Sequence, residues 1–139
     1  MSWDVCVIKA HGYCSMNDLP QGFLPAPLGS IDKVKEKLTK VYPTVVWSSP
    51  DSNYGLWGTY QDKNEGHSIE FSLGKKNPVE SIMLHIRGAG NVVSKILHLC
   101  NENGWKAIDT SAGEFMDLER PSSKGWEDFQ SYRDRIINK

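Results

Sequence analysis

Two runs in the middle of the chain alternate apolar and polar residues so regularly that they dictate a half-buried antiparallel hairpin. In the first, His67 to Leu73, Ile69, Phe71 and Leu73 alternate with Ser68, Glu70 and Ser72. In the second, Val79 to Arg87, Ile82, Leu84 and Ile86 alternate with Ser81, Met83, His85 and Arg87. Successive strand side chains point to opposite faces, so each run has one greasy and one wet side. The connection GKKNP supplies the Gly, Asn and Pro that turns use. Matching the apolar sets predicts Phe71 opposite Ile82, Ile69 opposite Leu84 and Ser68 opposite His85.

A sheet with one greasy face needs a second layer over it. Ile31, Val34, Leu38 and Val41 form one stripe of a helix that Ser30 caps and Pro43 stops. Val92, Val93, Ile96, Leu97 and Cys100 form a second stripe, with Asn91 as N-cap and Gly104 as the stop. Lys124 to Ile137 reads as a third helix, its apolar side made by Trp126, Phe129, Ile136 and Ile137. Trp3 to Lys9 is apolar on both faces and reads as an inner strand. Thr44 to Ser48, Leu56 to Tyr60 and Trp105 to Ile108 read as short strands, and Glu114 to Leu118 as a candidate return strand. Gly55 and Gly58 mark a bulge or a close backbone approach. The expected architecture is a single α+β domain over residues 1–139. It has a mostly antiparallel sheet of about five or six strands, with two or three helices packed on it.

Composition narrows the partners. The 139 residues carry 17 acids against 16 bases, a net charge of −1. Nucleic-acid binding wants a basic stripe, and a surface anchor wants a polybasic one. The near-balance of charge argues against both, so no nucleic acid and no membrane is expected as partner. Cys6, Cys14 and Cys100 include no CxxC pair, which points to reduced thiols and a cytoplasmic location. His11 with Cys14, and His98 with Cys100, are isolated pairs, whereas zinc wants four converging ligands. No metal and no cofactor are therefore expected.

Three features compete for chemistry. Arg87 to Asn91 (RGAGN) joins a strand to a helix but lacks both phosphate-loop glycine patterns, so it reads as a tight turn. On the wet hairpin face, Glu70, His85 and Arg87 form either an acid–base group or a ladder of complementary charges. Asp109, Glu114, Asp117 and Glu119 lie on turns with no intervening base. They suit a basic partner surface, with Tyr54 and Trp57 as aromatic anchors. The long segment His11 to Gly29, rich in Pro and Gly, has the character of a packed or ligand-binding loop.

The segments SWDVCVIK, LPAPLGSIDKV, SIEFSLG, SIMLHIRGAG and GWKAIDTSAGEF resemble a family of small stand-alone bacterial proteins, over residues 1 to about 119. Its members are similar to the immunity proteins that accompany secreted or contact-delivered toxins. The resemblance implies a cytoplasmic, non-enzymatic domain, monomeric or weakly dimeric, that binds and blocks one cognate protein toxin. It transfers no catalytic residue. The residues themselves leave two alternatives open: a small hydrolase or transferase built on the polar sheet face or on Cys14, and a ligand-binding module.

Overall fold

Every stretch with strand-like alternation joins one sheet. The computed structural model describes residues 2–10, 16–48, 55–116 and 124–137. In chain order the elements are β1 (Trp3–Ile8), α1 (Ile31–Val41), β2 (Val46–Trp47), β3 (Leu56–Asp62), β4 (His67–Gly74), β5 (Ile82–Gly88), α2 (Val93–Asn103), β6 (Lys106–Asp109), β7 (Glu114–Phe115) and α3 (Lys124–Ile137). The sheet has seven strands in the order β2-β3-β4-β5-β1-β6-β7, each neighbouring pair antiparallel. The class is α+β as expected. The strand count exceeds expectation because the return strand, β7, does pair with β6.

The hairpin register differs from the expected one. Phe71 lies opposite Leu84, Ile69 opposite Ile86, Glu70 opposite His85, and Ser68 opposite Arg87 rather than His85. The reason lies in the connection. Val79 leaves the hairpin and bridges Gly29, donating its N–H to the Gly29 carbonyl and accepting from Leu28, both at 2.8 Å. Residues 75–81 thus form the loop, and the pairing slides by two. A slide of two keeps every side chain on its face, so the greasy set is unchanged.

That greasy face is the core. Val5, Val7, Phe71, Ile82, Leu84 and Ile86 are fully buried, and each contributes about 1.5–3 kcal/mol of burial. Val34 and Leu38 of α1, with Ile96, Leu99 and Cys100 of α2, pack into the same cluster. Ser30 caps α1 by accepting the Lys33 N–H at 3.2 Å. Asn91 accepts the Ser94 N–H at 3.3 Å, and Gly104 ends α2 in the left-handed region. Gly58 is a close approach: a Cβ there would lie 2.9 Å from the Trp47 ring.

The third helix covers only one end of the sheet. Trp126 packs 5.5 Å from Trp3, and its indole N–H donates to the Gly90 carbonyl at 2.7 Å. Phe129 stacks on Trp126 at 5.7 Å, and Arg133 donates to the Gly88 carbonyl at 2.6 Å. Ile136, expected on the apolar side, is exposed. No helix among the described residues is long and apolar enough to cross a membrane.

Candidate functional site

With helices on one face, the other face of the sheet meets solvent, as antiparallel sheets allow. Across β4, β5 and β1 the pairing aligns Glu70, His85 and Asp4 in one row. His85 Nδ1 donates to the Asp4 carboxylate at 2.8 Å, and Ser2 Oγ donates to the same oxygen at 2.6 Å. Arg87 lies 3.7 Å from Glu70. Burial alone would raise the Asp4 carboxyl, but the hydrogen bonds from Ser2 and His85 and the nearby His85 and Arg87 charges outweigh it, holding it below its ordinary value. The predicted group of Glu70, His85 and Arg87 is therefore together, with a fourth member, Asp4. Sequence reasoning missed Asp4 because only the β1–β5 pairing brings it there.

An aspartate that orients a histidine is half of a nucleophilic relay. The thiol on the same face is Cys6, diagonal to His85, and its burial raises its pKa away from the reactive thiolate. Cys14 lies outside the described residues. Cys100 sits in the core, where burial pushes the thiol up to about 12, while its neighbour His98 is exposed.

Asp4 also borders a cleft of about 760 Å³, formed where β1, β6 and β7 meet α3. Carboxylates of Asp4, Asp109, Glu114 and Asp128 line it together with the rings of Trp3, Phe115, Phe129 and Tyr132. Its described lining contains no Lys, Arg or His. Asp109 is turned inward rather than out to solvent, with 7 % exposure. Its Oδ1 accepts from the Trp3 indole at 3.2 Å and from the Ser111 amide and hydroxyl at 3.0 and 2.7 Å. It braces the β6–β7 turn and forms a wall of the cleft. Glu114 is exposed at the rim. Tyr132, at 51 % exposure, is the open aromatic wall.

No family model, curated protein or solved structure matches the chain.

The remaining predicted residues distribute unevenly. Asp117, Glu119 and Tyr54 lie outside the described residues. Trp57 is exposed on β3, four strands away from β6. At the usual strand spacing that is about 19 Å, so Trp57 does not adjoin the acidic turn as expected from sequence. The aromatics beside the acids are Phe115, Phe129 and Tyr132 instead. The α3 pair was missed because its position over the β6–β7 turn depends on the Trp3–Trp126 contact, which no local pattern announces.

Proposed function

We propose that this chain is a non-enzymatic inhibitor, an immunity protein that binds and blocks one cognate protein toxin in the cytoplasm. The observation that carries the proposal is the cleft at the β6–β7 end, with acidic and aromatic walls and no basic residue in its described lining. Such a site suits Lys or Arg side chains of a partner, since a carboxylate pairs with the cation and a ring face attracts it. The walls stand on strands and a helix, so little ordering entropy is lost on binding. The family resemblance of the sequence points the same way.

Co-expression tests it. The adjacent reading frame is expressed with and without this chain in a sensitive host. The neighbour is expected to be toxic alone and silent in company. Substituting the rim residues as Glu114→Arg and Tyr132→Ala is expected to abolish protection, each costing about 2 kcal/mol or more if they are anchors. A neighbour that is harmless alone, or that stays toxic in company, overturns the proposal.

One observation favours a second reading. The 2.8 Å Asp4–His85 contact holds the imidazole in one orientation, the starting geometry for acid–base catalysis. Loss of a measured hydrolase or transferase activity in His85→Gln, with stability retained, would establish it.

A further inference from the structure

The groove between α1 and α2 holds charges that neither the core nor the cleft uses. Lys33, Lys37 and Lys40 recur along one side of α1 and face His98 and Glu102 of α2 across a space of about 480 Å³. None of the three lysines forms an ion pair with a carboxylate among the described residues, although Glu36 and Glu102 line the same groove. The Lys37 ammonium lies 5.3 Å from the centre of the Trp105 ring. Trp105 is fully buried, so this contact holds Lys37 in place at the groove. Three lysines stand against two carboxylates, Glu36 and Glu102, a local excess of one positive charge in a protein whose net charge is −1. The local field is therefore a property of this groove and not of the molecule.

We propose that the α1–α2 groove binds a small phosphate ester that carries free hydroxyl groups, of the sugar-phosphate or ribonucleotide class. The lysines act as point charges for the phosphate, the role lysine fills at many phosphate sites. Glu36 and Glu102 accept hydrogen bonds from ligand hydroxyls, which a carboxylate does and an ammonium cannot. The same two carboxylates repel a bare phosphate dianion, so the groove discriminates by requiring both groups on one molecule. Its volume falls in the range of about 300–1,000 Å³ usual for small-molecule sites. Nothing in the toxin-binding reading depends on this groove, and the two stand or fall separately.

Calorimetric and NMR titrations of the full chain at low salt test the proposal with ribose 5-phosphate, adenosine monophosphate, adenosine and inorganic phosphate. Both esters are expected to bind saturably, with shifts centred on α1 and α2. Inorganic phosphate is expected to bind at least about tenfold more weakly, and adenosine not at all. The double variant Lys33→Gln/Lys40→Gln, both on exposed positions, is expected to lose about tenfold or more in ester affinity. A control double variant, Lys63→Gln/Lys75→Gln, is expected to lose nothing. In Glu102→Gln, inorganic phosphate is expected to bind more tightly and approach the esters. The proposal is overturned if neither ester binds up to about 10 mM, if the groove variant binds as the parent does, or if inorganic phosphate matches the esters in the parent.

Discussion

Tyr42 follows the last residue of α1, with its ring in the centre of the core, fully buried, and its hydroxyl has no hydrogen-bond partner among the described residues. A buried polar group left unsatisfied costs about 1–3 kcal/mol. Tyr42→Phe removes the hydroxyl and leaves the ring in place. The edge contact with Tyr60 at 4.8 Å, the tilted contact with Phe71 at 5.0 Å and the Lys95 ammonium 5.7 Å from the ring centre all survive. The small gap left behind returns part of the gain, because a lining atom loses dispersion contacts. The expected net effect is stabilisation by about 1 kcal/mol. For 139 residues the unfolding entropy is about 0.3 kcal/mol/K, so Tm should rise by about 3 °C. Urea unfolding should show a raised midpoint with an unchanged slope. Tyr60→Phe is the matched control. Its hydroxyl accepts from Lys95 at 2.9 Å and donates to Asp62 at 3.3 Å, so its loss should destabilise by about 1 kcal/mol. If Tyr42→Phe destabilises by 1 kcal/mol or more, on the scale of a lost hydrogen bond, the hydroxyl is satisfied and the reasoning is wrong.

Gly58→Ala places a Cβ 2.9 Å from both the Trp47 ring and Val45, and should destabilise by about 1–3 kcal/mol in thermal unfolding, as overpacking does. Asp109→Ala strips the acceptor from the buried Trp3 indole and from Ser111, so a loss of about 1–3 kcal/mol is expected in denaturant titration. An unchanged midpoint would show that these hydrogen bonds add nothing net to the fold. Asp4 has a lowered pKa in the folded state, so its contacts stabilise the fold above the ordinary carboxylate range and the contribution is lost as pH falls through the folded value. Its side chain is 40 % exposed, which limits the effect to under about 1 kcal/mol. Stability measured from pH 7 down to pH 3 should fall less steeply in Asp4→Asn than in the parent.

Much of this fold is written in local periodicity. The alternation at Ile69, Phe71, Leu73, Ile82, Leu84 and Ile86 fixed which side chains go inward, and the stripes of α1 and α2 fixed what covers them. Local patterns say less about which strand lies beside which. The two-residue slide of the hairpin came from Val79 pairing with Gly29, some fifty residues earlier, a contact invisible to a turn-based argument. The same limit hid Asp4, whose partner His85 lies 81 positions away. The acidic turn was legible as a cluster of residue types. That Asp109 faces inward was not, because the cause is a tryptophan at the other end of the chain. Charge patterns along one helix, such as Lys33, Lys37 and Lys40, are plain in sequence; what stands across from them is not.

The placement of β1 has a consequence for how the molecule is made. Strand β1 lies between β5 and β6, whose residues follow it by roughly eighty to a hundred positions. Until those strands pair with it, its amides lack their ladder partners, so closure of the sheet waits on chain segments far apart and carries a high loop-closure entropy. Removing β1 would part β6 and β7 from the other four strands rather than trim an edge.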